Sequence, residues 1–216
     1  MENNNVKAVI FDMDGVLQDS ETISDVTWEL AAQEFGIKNW LSALNECRGC
    51  NRNDEIHILK KHYGKDFDGD AFLTRTSELF YEVEKNRGIP LMHYAKEILE
   101  YLKPKYKLAL ASSTRGESVH RQMKNGGLFD FFETLTTGDM VTHSKPEPEI
   151  YLKAAASIGI APESCVAVED SPNGVKSAFA AGMRVIMVPD KIQPDSALLE
   201  KVWHVCKTLE DVEKIL

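Results

Sequence analysis

Four cysteines in 216 residues are few, and they lack the arrangement of a closed zinc site. Cys47 and Cys50 form C-x-x-C, but Cys165 and Cys206 stand alone instead of making a second pair at similar spacing. No zinc centre or disulfide framework is expected, and the thiols read as reduced. Basic residues are also short: 25 Lys and Arg stand against 34 Asp and Glu, a formal net charge of -9. Nucleic-acid binding needs a Lys/Arg-rich face, so no nucleic-acid partner is expected. An anionic ligand would have to be drawn in by a local positive feature. No apolar run reaches the length of a bilayer span, and the opening MENNNVK shows no charged-then-apolar leader. The expectation is a cytoplasmic, monomeric protein with no membrane partner. Internal repeats and low-complexity stretches are missing too. What is there is 43% hydrophobic and 27% charged, the balance of a globular chain long enough for one sizeable core, or for a core carrying an insert.

Residues 6–12 are rich in Val, Ile and Phe and read as a buried strand. Residues 20–87 then turn helical. Trp28, Leu30, Ala31 and Phe35 suit one helix closed by Gly36; Ile56, Leu59 and Tyr63 suit a second closed by Gly64; Phe72, Leu79, Phe80 and Val83 suit a third. No strand signal interrupts this block. After Gly88-Ile89-Pro90 the pattern alternates. Strands are expected at 107–111, 134–137, 166–168 and 185–188, with helices between them and a short strand and helix at the end. Such alternation predicts an α/β fold, a Rossmann-like parallel sheet covered by helices on both faces. The helical block interrupts it and reads as an inserted all-helical cap domain, 19–88, leaving 1–18 and 89–216 as the core domain.

Four expected strand ends carry polar groups. The first ends in Asp12 and Asp14, which point to one side in extended chain, and Gly15 permits a sharp turn after them. In open parallel sheets, ligands bind at this carboxyl end. Two neighbouring carboxylates repel, and a hard divalent cation with oxygen ligands would relieve them. The second strand runs into Ser112, Ser113 and Thr114, whose hydroxyls and N–H groups suit a phosphate. The third precedes Lys145, read as the start of a helix with Pro146 as its first residue. The fourth ends in Glu169-Asp170-Ser171. Each signal alone is an ordinary helix cap or a solvated strand end. The ordered set acid–acid, hydroxyl, lysine, acid–acid is what capping alone does not explain.

With FDMDGVL, LASST, SKPEPEIY and VEDSPNGVKSAFAAGM in this order, the chain resembles the haloacid dehalogenase-like phosphatase superfamily along nearly its whole length. It is most similar to the β-phosphoglucomutase-like branch, which carries a helical cap where the helical block lies here. The resemblance implies a phosphatase for small phosphate esters, sugar phosphates foremost. Asp12 would be nucleophile through an aspartyl-phosphate, and Asp14 general acid and base. Ser112, Ser113 and Lys145 would bind the phosphate. Mg2+ would be held by Asp12, the Asp14 backbone carbonyl and Asp170, with Glu169 in the outer shell. The cap stretch RGCNRNDE resembles that branch's cap loop, with Arg52 at the place of the arginine that β-phosphoglucomutases use on the distal phosphate. Those mutases carry a histidine on the first cap helix, where ungapped counting from Asp12 puts Ser24. This departure favours a phosphatase over a phosphohexomutase, the alternative. A non-catalytic phosphoryl- or metal-binding signalling module is a third possibility. Receiver domains combine similar residues but have no helical insert after the first strand.

Overall fold

The computed structural model describes residues 5–216. The chain begins with β1 (Ala8–Phe11) and then makes four consecutive helices: α1 (Ser20–Phe35), α2 (Trp40–Cys47), α3 (Arg52–Tyr63) and α4 (Gly69–Arg87). There follow α5 (Ala95–Leu102), β2 (Lys107–Ser112), α6 (Gly116–Asn125), β3 (Thr134–Thr137), α7 (Glu149–Ser157), β4 (Cys165–Glu169), α8 (Pro172–Ala180), β5 (Arg184–Met187), α9 (Ser196–Leu199), β6 (His204–Val205) and α10 (Leu209–Glu213). Among the described residues, six strands form one parallel sheet in the order β3-β2-β1-β4-β5-β6. The order reverses at β1, so β1 sits between β2 and β4, and their three carboxyl ends are neighbours.

The two-residue period of the strands divides the core in two. Val9, Phe11, Leu108, Leu110, Val166 and Val168 face α5, α6 and α10. Ala8, Ile10, Ala109, Ala111 and Ala167 face α7 and α8. Alternate residues thus supply two apolar layers from one strand, which is why β1 is apolar throughout and β4 is apolar up to Glu169. The four helices after β1 have their own core, in which Trp28 packs edge-to-face on Phe72 with ring centroids 5.1 Å apart and Leu59 is fully buried. The chain enters and leaves this block along adjacent paths: the Asp19 N–H donates to the Pro90 carbonyl (2.9 Å) and the Met92 N–H to the Leu17 carbonyl (3.0 Å). No helix among the described residues is long and apolar enough to cross a membrane.

Three expectations need correction. Of the residues read onto the first cap helix, Trp28 and Ala31 are buried, with Ala32 beside them, but Leu30 is exposed and Phe35 lies at the edge with its ring 5.4 Å from that of Phe72. Small residues at the α1–α4 contact let the helices approach closely, which a reading built on large side chains overlooks. The stretch 40–47 forms a separate helix. Lys145 and Pro146 lie before α7 and not in its first turn; their peptide bond is cis. The Glu149 carboxylate accepts from the Thr142 and His143 N–H groups (3.0 and 2.9 Å) and folds the preceding segment back over the helix start.

Candidate active site

The site lies where β1, β2 and β4 end. The Asp12 N–H donates to the Val168 carbonyl at 3.0 Å, which sets the Asp12 side chain beside the end of β4. Gly15 follows with φ +75, and a Cβ there would lie 2.4 Å from Asp170 Oδ2. Only glycine lets this turn pass so near the second acid. Gly174 serves the other side: a Cβ on it would collide with the Glu169 carboxylate, which rests under the first turn of α8.

Lys145 reaches the same point from the β3–α7 connection. Its side chain is 2% exposed, and its Nζ donates to Asp12 Oδ1 and Glu169 Oε1, each at 2.6 Å. Burial alone would pull its pKa down, but the carboxylates of Asp12 and Glu169 outweigh this and hold the ammonium above its ordinary value. Asp12 is pushed up to about 8, chiefly by burial, with Glu169 and Asp14 adding repulsion against the pull of Lys145. Asp170 is raised by burial and by its acidic neighbours Glu169 and Asp12.

Asp12, Glu169 and Asp170 each offer a carboxylate oxygen within 4.8 Å of the others, and all three residues are buried. Three acids around one ammonium leave an excess of negative charge away from water, an expensive arrangement unless a cation joins it. The donor set, hard oxygens and no sulfur or imidazole, fits Mg2+. Asp12 and Asp170 would hold it. Glu169 is taken up by protein donors: its Oε1 accepts from Lys145 and from the Tyr151 hydroxyl (2.7 Å), and its Oε2 from the Asp170 N–H (3.1 Å) and the Ser171 hydroxyl (3.2 Å). Its place is to fix Lys145 and the loop that carries Asp170.

Asp14 stands outside that trio. Its Oδ1 accepts from Ser20 Oγ (2.7 Å), and its Oδ2 from Thr114 Oγ1 (2.9 Å) and Ser112 Oγ (3.3 Å). Of the hydroxyl run, Ser112 is fully buried at the end of β2, beside Asp14. Ser113 differs from expectation: its hydroxyl donates across to the Gly49 carbonyl (2.9 Å) in the helical block, so only its backbone N–H is left for a phosphate.

That contact is one of several that lay residues 48–54, the loop before α3 and its first turn, on the core. Asn173 Nδ2 donates to the Arg48 carbonyl at 3.1 Å, and Ser144 Oγ donates to Asp54. Between loop and strand ends lies a cavity of about 290 Å³. Its floor includes Asp12, Asp14, Lys145 and Asp170; its roof includes Trp28, Leu44, Thr76 and Phe80. Ser24 also lines it. Arg52 is present in its wall, but its Nε donates to Asp70 (3.0 Å) and its Nη2 to the Asp70 carbonyl (2.9 Å) and Thr74 (2.7 Å), all within the helical block.

Residues 9–188 match the family model described as haloacid dehalogenase-like hydrolase. The chain belongs to the haloacid dehalogenase-like hydrolases. Among relatives in this family is the phosphorylated carbohydrates phosphatase of Thermotoga maritima, 33% identical over 90% of this chain and 91% of that one. Hexitol phosphatase A of Escherichia coli is 31% identical over 95% and 93%. A β-phosphoglucomutase structure from Clostridium difficile superposes with a TM-score of 0.80, covering 96% of this chain and 93% of that one. At 20% identity that likeness is one of fold.

Sequence reasoning passed over several groups of this hydrolase's site. Thr114 is read in the hydroxyl run as suiting a phosphate, whereas its hydroxyl donates to Asp14, and Ser20 is hidden behind its N-cap Asp19. Arg48, Glu55 and Arg121 carry no local signal. They meet the cavity only because the cap docks on the core.

Proposed function

We propose that this enzyme, a phosphatase by its family and its relatives, hydrolyses small phosphorylated metabolites, sugar phosphates foremost, with Mg2+ bound and through a phosphoryl group carried on Asp12. The observation that carries the reading is the buried trio Asp12, Glu169 and Asp170 around the single ammonium of Lys145. It combines a nucleophile, a cation site and a phosphate partner at one point. The names of the relatives above support sugar and sugar-alcohol phosphates as substrates, and a cavity just under the ~300–1,000 Å³ of ordinary ligand pockets suits a small ester.

A bound Mg2+ supplies positive charge between an anionic carboxylate and an anionic phosphoryl group, which at 4 Å would otherwise repel by about 4 kcal/mol per pair of unit charges at an effective dielectric of about 20. Asp12 attacks phosphorus, the bond to the ester oxygen breaks, and Asp14 gives its proton to the departing alkoxide. Asp14, now anionic, takes a proton from the water that attacks the same phosphorus; the Asp12–phosphorus bond breaks and inorganic phosphate leaves. The hydroxyls of Ser20, Ser112 and Thr114 hold Asp14 in line for both transfers. Lys145 keeps the Asp12 carboxylate oriented and offers charge to the phosphoryl oxygens. The four free thiols fit a reducing, cytoplasmic compartment, and a monomer suffices for every group named.

The phosphohexomutase reading is disfavoured by Ser24 at the cavity wall in place of a histidine, and by Arg52 being held inside the cap. The test is phosphate release from p-nitrophenyl phosphate and a panel of hexose and hexitol phosphates, with Mg2+ and with chelator. β-Glucose 1-phosphate is included with detection of glucose 6-phosphate. Mg2+-dependent phosphate release is expected. Glucose 6-phosphate formed faster than phosphate would overturn the phosphatase reading in favour of the mutase.

A further inference from the structure

The charges of the cavity wall do not balance evenly. Arg48, whose side chain is 4% exposed, makes ion pairs with Glu21 and Asp25. Arg52 is paired with Asp70. Arg121 forms a two-pronged pair with Glu84, Nε to Oε1 at 2.7 Å and Nη2 to Oε2 at 2.9 Å. Every arginine facing the cavity therefore already has a carboxylate of its own. Glu55, at the start of α3, is different. It lines the cavity, and its carboxylate has no hydrogen bond or ion pair among the described residues. Its surroundings offer little: Arg52 is the one cation that bears on it, Asp54 opposes it, and the neighbouring Cys47 and Cys50 have burial-raised pKa values that leave them as neutral thiols.

Resting on the phosphatase reading above, we propose that Glu55 sets substrate choice. The substrate's far end must bring hydrogen-bond donors to this carboxylate, and a second phosphate is refused there. A half-buried carboxylate without a partner favours a ligand that supplies hydroxyl or ammonium donors. A second phosphoryl group would meet Glu55 and arginines whose charge is already matched, and juxtaposed like charges discriminate strongly. The class is thus a monophosphate with a donor-bearing tail, not a bisphosphate. The same feature disfavours any reaction cycle that must hold a bisphosphate in this cavity.

The experiment compares kcat/KM, with Mg2+, for four esters: a hexitol 6-phosphate, an aminoalkyl phosphate, an unsubstituted alkyl phosphate of similar length, and a hexose 1,6-bisphosphate. The wild type and Glu55→Lys are measured, with Glu55→Gln as the neutral isostere and circular dichroism to verify folding. In the wild type the better donor-bearing monophosphate should exceed the bisphosphate by about 10²-fold and the plain alkyl ester by about tenfold or more. Whichever of the hydroxyl and ammonium tails is faster identifies the donor. Glu55→Gln should narrow the bisphosphate gap, and Glu55→Lys should narrow it by at least about tenfold. Equal turnover of monophosphate and bisphosphate by the wild type, or a gap unchanged in folded Glu55→Lys, overturns the inference while leaving a phosphatase. No phosphate from any ester, p-nitrophenyl phosphate included, overturns the phosphatase reading itself and this one with it.

Discussion

Asp12 and Asp14 follow the same strand two residues apart, yet their surroundings differ. Asp12 is gripped by Lys145 among other acids; Asp14 is held by three hydroxyls. Asp12→Asn should abolish turnover while the protein stays folded, as judged by steady-state phosphate release beside circular dichroism. Asp14→Asn should lower kcat/KM for an alkyl ester by about 10²–10⁴-fold. With p-nitrophenyl phosphate, whose leaving group needs little protonation, the first step should survive and the second stall. Glu55 adds a pH signature. Burial, with Arg52 countering and Asp54 reinforcing, raises its pKa from 4.5 to about 7. The folded state therefore holds this proton more tightly than the unfolded chain, so stability from this group falls as pH rises from 4.5 to 7, and the whole penalty is present above 7. Removing the charge in Glu55→Gln should raise ligand-free stability at pH 8 by about 1–2 kcal/mol, discounted for water in the cavity, and leave it unchanged at pH 4. Urea melts at the two pH values check this.

Among the contacts that hold the helical cap over the core is a two-pronged ion pair between α4 and α6. Glu84, 3% exposed in its side chain, meets Arg121, and Gln122 Nε2 adds a bond at 3.4 Å. Removing Arg121 would leave Glu84 buried without a counter-charge, at a cost of about 3–5 kcal/mol if nothing moved. If the pair latches a hinged cap, the cost should appear as a less populated closed state. Arg121→Ala is expected to raise KM about tenfold or more with little loss of thermal stability, read from steady-state kinetics and a melt. A drop in melting temperature with unchanged KM would contradict a latch. The elements themselves were largely legible in the sequence. β1 and the first four residues of β4 announce burial by unbroken apolar side chains, and Asn51, Asp68 and Ser171 cap α3, α4 and α8 as their residue types imply. The separate helix at 40–47 was not legible, because its N-cap position is an Asn in left-handed conformation without a side-chain cap bond. The start of α7 was also misjudged, since a carboxylate four residues beyond Lys145 governs the turn.

In the whole molecule, the sheet order brings the ends of β1, β2 and β4 together, and Lys145 arrives from the loop after β3. The floor of the site could be read from motif order for that reason. Its roof could not, since Arg48, Glu55 and Arg121 acquire a common cavity only through cap docking. The floor holds more negative than positive charge, so the account expects a cation to stabilise the fold. At Mg2+ a hundredfold above its dissociation constant, about 2.7 kcal/mol should be gained. At ~2–4 °C per kcal/mol for a chain of this size, melting temperature should rise by about 5–10 °C and return on adding chelator. Asp170→Asn should abolish that rise. The central claim, that Asp12 carries the phosphoryl group, is tested most directly by acid-quenching Asp14→Asn during reaction with p-nitrophenyl phosphate and Mg2+ and mapping the protein by mass spectrometry. The account predicts one phosphoryl mass on the peptide that contains Asp12, missing when Asp12→Asn is added. A phosphoryl group on another residue, or continued turnover by Asp12→Asn, would contradict it.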